Sequence, residues 1–77
     1  MTTTKRPFVV VTEIVDYMYQ ETLLSPLGVE MATRPEEAYN NACRRWPNMS
    51  TFVVLWEDVP PKVRMVALLR DRGDIST

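Results

Sequence analysis

The sequence predicts an α+β domain: a small, mainly antiparallel sheet of four to five strands with one amphipathic helix packed on one face, in the order β-ββ-α-ββ. Three observations carry this. Phe8–Val15 and Thr51–Trp56 are runs of β-branched and aromatic residues that are apolar on both alternating faces, as strands with neighbours and cover are. Between them, Thr33–Pro47 holds nearly every signal of one amphipathic helix. Seventy-seven residues are enough for only one core, so helix and sheet must share it. With 45% hydrophobic residues, 25% charged residues and two glycines, the composition is that of a folded chain. The expected organisation is one domain over residues 1–77, ordered from about 7 to 70, with 1–6 and 71–77 flexible.

In chain order, Phe8–Val15 reads as a central strand. Tyr17–Leu24 alternates as a second strand, and Ser25-Pro26-Leu27-Gly28 places Pro and Gly where a type I turn wants them. A short return strand, Val29–Ala32, then closes a hairpin at the sheet edge. In the helix, Thr33 and Glu36 form a T-x-x-E capping box and Pro35 suits the first turn, where no N–H is lost; Arg34 is the alternative cap. Ala38, Tyr39, Ala42, Cys43 and Trp46 make the apolar stripe, with Glu36, Glu37, Asn40, Asn41, Arg44 and Arg45 opposite, and Pro47 ends the helix at Trp46. Thr51–Trp56 is the second core strand. The segment 61–72 reads two ways. Its Lys, Met, Ala, Leu and Arg favour a helix, but alternation puts Val63, Met65, Ala67 and Leu69 on one face and Lys62, Arg64 and Arg70 on the other, and the strand is the reading taken. One helix cannot cover both faces of such a sheet, so apolar surface should remain for a partner or a second copy.

The chemistry is bounded by what is missing. There is no histidine, one cysteine, and two glycines 45 residues apart, so no Ser-His or Cys-His pair, zinc set, calcium loop or phosphate-cradling glycine loop can be written. The expectation is a protein that is not an enzyme, with no catalytic residue, no metal and no cofactor. Nine Lys+Arg against ten Asp+Glu leave a net charge of −1, no global field for nucleic acid or an anionic membrane. A lone Cys43 on the helix stripe reads as a buried small hydrophobe, and with neither a signal peptide nor a span of about 20 apolar residues the expected location is the cytoplasm, away from membranes.

Three surface groupings remain as candidates. Tyr17 and Tyr19, on one strand face, are amphipathic aromatics suited to anchoring an interface. Glu57 and Asp58, at a strand end beside two prolines, could pair with a basic patch on a partner. Lys62, Arg64 and Arg70, with Trp56 nearby, would form a basic and aromatic strand face for single-stranded nucleic acid, or simply blunt an edge strand. Glu36-Glu37 and Arg44-Arg45 complement their own helix dipole, and Glu13 with Asp16 is a third, more spaced acidic pair. Arg72-Gly73-Asp74 and Asn48-Met49-Ser50 match adhesion and glycosylation motifs that mean nothing without secretion.

The short, nearly neutral chain, laid out as V-V-V-T-E, a hairpin, an Ala-rich helix ending at Trp46 and then F-V-V-L-W, resembles small phage-encoded inhibitor proteins, the anti-CRISPR class among them. The resemblance spans Phe8–Trp56, rests on length and layout, and carries no functional residue with it. It implies a rigid domain that occupies a surface of a bacterial host complex, such as a CRISPR-Cas effector, and blocks it sterically or by charge. A nucleic-acid-binding module and a self-associating structural domain, dimeric through an edge strand or open sheet face, are the alternatives.

Overall fold

A computed structural model describes residues 4–71 and builds them into β1 (Arg6–Asp16), β2 (Glu21–Ala32), α1 (Pro35–Arg45), β3 (Thr51–Leu55) and α2 (Pro61–Asp71), with a single 3-10 turn at Trp56–Asp58. The three strands form one antiparallel sheet in the order β2-β1-β3. Strand alternation sends Phe8, Val10 and Thr12 of central β1 to one face and Val9 and Val11 to the other. Each face has its own helix. Phe8 packs with Ala32, Ala38, Val53 and Leu55 under α1. Val9 and Val11 pack with Ala67, Val29, Trp56, Val59 and Val63 under α2. Val9 and Val10 are fully buried, and burying each valine contributes about 1.5–3 kcal/mol.

The α+β class and the central place of β1 agree with the sequence; the strand and helix counts do not. The sheet has three strands, not four or five, and there are two helices, not one. The first correction concerns Ser25–Gly28, which is no turn. Tyr17–Leu24 and Val29–Ala32 were expected as separate strands, yet one strand runs from Glu21 to Ala32, and Leu27 is an extra residue bulged out between the pairs Val10↔Gly28 and Val11↔Pro26. Pro26 is tolerated because β2 is an edge strand.

The second correction concerns 61–72, which the alternation pattern made a strand and which is a helix as far as Asp71. Pro61 opens it, the Arg64 N–H closes the first turn on the Pro60 carbonyl, and Val63, Val66, Ala67 and Arg70 supply an i, i+3, i+4, i+7 inner stripe. Met65, which the alternation places on the same face as Val63 and Ala67, is exposed, as is Leu68. The sheet face expected to lie open is therefore covered by α2.

Helix α1 starts as expected but is capped one step further on. Arg34 is the N-cap, and both the Thr33 N–H and hydroxyl donate to Glu37 Oε2, at 3.2 and 2.7 Å, instead of engaging Glu36. The Thr33 hydroxyl, its backbone N–H and the nearby Lys5 and Arg34 charges hold the Glu37 carboxyl below its ordinary value, against a smaller opposing effect of burial. Cys43 is half-buried, with its sulfur 3.9 Å from the Thr51 hydroxyl. No helix among the described residues is long and apolar enough to cross a membrane. Of the ends expected to be flexible, residues 1–3 and 72–77, with the Arg72-Gly73-Asp74 motif, lie outside the described residues, while Arg6 opens β1 and Asp71 closes α2.

Candidate partner-binding arm

Strand lengths alone create a strongly exposed feature among the described residues. β3 pairs with β1 only from Phe8 to Thr12, whereas β1 and β2 stay paired to Asp16↔Glu21. The last four residue pairs thus leave the three-stranded body as a two-stranded arm, about 14 Å long before its turn at the usual rise per residue. The molecule measures 51 × 22 × 22 Å. The turn is Tyr17–Gln20, with Gln20 in the left-handed region at φ 55°. Nothing in Y-M-Y-Q carries the usual Gly, Asn or Pro turn chemistry, which is why the hairpin was placed eight residues too late.

The arm is apolar on both faces. Ile14 and Leu23 are paired on the α1 side, while Val15 and Leu24 lie on the α2 side, and all four are exposed. At the tip, Tyr17, Met18 and Tyr19 are 87%, 88% and 73% exposed. The two tyrosines alone present roughly 300 Å² to solvent, as much as the largest apolar patch of many monomers. Interspersed are Glu13, Asp16 and Glu21, so residues 13–24 carry three carboxylates and no cation. The rest of the described chain carries eight Lys+Arg against six Asp+Glu, so the charge is polarised along the molecule.

At the base of the arm lies a cleft of about 480 Å³ lined by Thr12, Glu13, Ile14, Ser25, Leu27, Trp46, Met49 and Arg70. Its upper wall is the connection from α1 to β3, pinned over the sheet where the Thr12 hydroxyl donates to the Ser50 carbonyl at 2.8 Å. Trp46, one of the lining residues, lies close to Gly28, where a Cβ would sit 3.1 and 3.3 Å from the ring.

Away from the arm, the outer edge of β2 is guarded by side chains. Arg70 Nη1 donates to the Ser25 hydroxyl and the Pro26 carbonyl. Asp71 Oδ1 accepts from the Val29 N–H, and Arg45 Nη1 donates to the Val29 carbonyl. Arg45 also pairs with Glu30 and Asp71, each at 2.8 Å, and stacks 4.3 Å above Trp46. Burial disfavours its charge, but hydrogen bonds and attraction from Glu30 and Asp71 outweigh this and raise its pKa. These contacts occupy backbone groups that would otherwise be a template for another strand.

The structure separates the residues singled out in the sequence. Tyr17 and Tyr19 stand in the turn of the arm and not on a strand face. Glu57 and Asp58 are exposed, but they sit in the 3-10 turn after Leu55, at the opposite end of the sheet. Lys62, Arg64 and Arg70 do not line up on one face, because on a helix their directions diverge by about 80–160°. Arg64 is committed to the fold: it donates to the Trp56 and Glu57 carbonyls and lies 5.5 Å from the Trp56 ring centroid. Arg70 is committed to β2 as described. The sequence reading missed Ile14, Val15, Leu23 and Leu24 as exposed groups. The available signal was the length mismatch, since β3 has five residues and β1 eleven.

Among the described residues, no group of three or more Cys, Asp or Glu side chains is placed to hold a metal ion. Fold and surface together define an α+β domain, a three-stranded sheet between two helices, with a projecting acidic and aromatic hairpin. No protein-family model, curated protein or solved structure matches this chain at a significant level.

Proposed function

We propose that this chain is a non-enzymatic protein-binding module whose contact element is the hairpin arm of residues 13–24, and that it acts as a phage- or mobile-element-encoded inhibitor by occupying a surface of a bacterial host complex. The observation that supports this most is the arm itself. A two-stranded hairpin is at best marginally stable alone in water, and this one leaves Ile14, Val15, Tyr17, Tyr19, Leu23 and Leu24 in solvent although the body has two covered faces. A bound partner supplies the missing cover. Tyrosines at the tip are the side chains that anchor interfaces, offering large area for two rotatable bonds. Three like charges on the arm oppose pairing of two arms with each other and favour a cationic counterpart.

The test is capture from a bacterial host at moderate and high salt with three forms: the natural chain, Tyr17→Ser with Tyr19→Ser, and Glu57→Gln with Asp58→Asn. The arm pair of substitutions abolishes stoichiometric capture while the distal pair leaves it intact. Capture that survives loss of both tyrosines, or nucleic acid recovered in place of protein, contradicts the proposal.

A further inference from the structure

We infer that the outer edge of β3, Thr51–Leu55, is the seam of a symmetric dimer, in which β3 pairs antiparallel with β3 of a second copy of this chain about a two-fold axis at Val53. This surface is separate from the arm, and the seam does not depend on what the arm contacts.

The two outer edges of the sheet are built differently. Along β2, Arg70, Asp71 and Arg45 occupy backbone groups of Pro26 and Val29. Along β3, among the described residues, no strand or side chain bonds to the outer backbone edge. Thr51–Leu55 reads T-F-V-V-L and carries no charge to deter pairing, whereas the arm has Glu13 and Asp16 on its β1 edge and Glu21 on its β2 edge, and β2 has Glu30 further on.

Apolar surface borders this edge on both faces. Helix α1 presents opposite flanks to the two edges. Its Arg45 flank reaches Val29 and Glu30 of β2, while its Cys43 flank lies over β3, with the sulfur 3.9 Å from the Thr51 hydroxyl. Tyr39, on that same flank beside Cys43, remains 47% exposed. On the other face α2 lies mainly over β2. Phe52, paired with Val11 on that face, is also 47% exposed. At this exposure each ring shows roughly 100 Å² to solvent, so two copies bring roughly 400 Å² of aromatic surface to the seam. With a strand of only five residues, the buried total belongs to the small class, below about 1,200 Å², and the association is reversible.

A second copy is the occupant these features fit. Pairing about Val53 puts Phe52 opposite the partner's Val54, and Val54 opposite the partner's Phe52, all on the α2 side. Aromatic and β-branched side chains make a favourable cross-strand pair, and each Phe52 gains the cover that α2 does not give it. On the α1 side Val53 meets the partner's Val53. No charge opposes another within the seam, because Glu57 and Asp58 lie past the strand end in the 3-10 turn. The contact is isologous, so it closes as a dimer and does not propagate. An antiparallel seam points the two Thr51 ends apart, so the two arms project from opposite ends of the dimer.

The experiment uses the full natural chain, followed by sedimentation and by NMR from about 10 μM to about 1 mM. The mass rises toward that of a dimer, and the amides of Thr51–Leu55 and the rings of Tyr39 and Phe52 shift with it while the arm and β2 do not. A mixture of labelled and unlabelled copies gives a nuclear Overhauser contact between Phe52 and the partner's Val54. Phe52→Lys keeps the folded circular dichroism spectrum and weakens dimerisation at least about tenfold, since both copies lose an anchor. Tyr17→Ser with Tyr19→Ser leaves it unchanged. A monomer throughout the range, shifts centred on the arm or on the outer edge of β2, or a folded Phe52→Lys that dimerises as tightly as the natural chain overturns the seam. Should Phe52→Lys lose its folded spectrum, the contact between copies of the natural chain decides: its presence supports the seam and its absence overturns it.

Discussion

Gly28→Ala probes how tightly the guarded edge is built. Gly28 has ordinary backbone angles, so alanine is sterically allowed there, and the lower entropy of the unfolded chain would by itself stabilise the protein by about 0.4–1 kcal/mol. The space around it decides otherwise. A Cβ at this position lies 2.8 Å from Asp71 Oδ1 and 3.1 Å from the nearest Trp46 ring atom. That carboxylate is not free to swing aside, since it accepts from the Val29 N–H at 3.3 Å and from Arg45 at 2.8 Å. Trp46 is held under the Arg45 guanidinium. Overpacking of this kind costs about 1–3 kcal/mol, while the half-exposed Arg45–Asp71 pair adds less than about 1 kcal/mol when disturbed. The expected net destabilisation is roughly 1–2 kcal/mol, or about 5–15 °C in Tm for a domain this small. Urea unfolding followed by circular dichroism measures it. In an Asp71→Ala background the nearest atom is gone and only the Trp46 contacts remain, so the same substitution should cost under about 1 kcal/mol. An unchanged or raised midpoint for Gly28→Ala alone, or equal costs in the two backgrounds, would refute the packing argument.

Two further perturbations separate local structure from function. Glu37 has a folded pKa below its unfolded value, so its contribution is present above the ordinary glutamate range, near about 4.3, and is lost as pH falls through the lowered folded value; Glu37→Gln should flatten that acid limb of the stability profile in urea titrations, and an unchanged limb would show that the Thr33 contacts do not matter. Gln20 occupies the left-handed region, so Gln20→Val should lower stability by about 1 kcal/mol while Gln20→Gly leaves it equal or slightly raised; the reverse order in denaturant midpoints would rule out this turn.

The parts of the fold legible in the sequence are those where a short pattern has one physical meaning. β-Branched runs gave β1 and β3, and the acid-first, base-last helix bracketed by prolines gave α1. Ser25–Gly28 was misleading because Pro and Gly serve an edge-strand bulge as well as a turn: Pro26 needs no partner for a missing N–H, and Gly28 makes room for Trp46. The true turn at Tyr17–Gln20 has no residue that announces it. α2 was hidden because Met65 and Leu68, apolar in type, face solvent, so its stripe emerges only when β1 shows which residues it must cover. Of the candidate surface, Tyr17 and Tyr19 were readable as aromatics. That they crown a projecting arm depends on β3 starting only at Thr51, opposite Thr12, a matter of relative strand length that no local pattern encodes.

Amide hydrogen exchange on the protein alone and in complex with the captured host partner tests the central claim most directly. Backbone amides within residues 13–24 should be among the faster-exchanging strand amides in the free chain and become strongly protected in the complex, with α2 and the Trp56–Asp58 turn unchanged. Protection centred on Trp56–Asp58 or on α2, with the arm exchanging as fast as before, would contradict it.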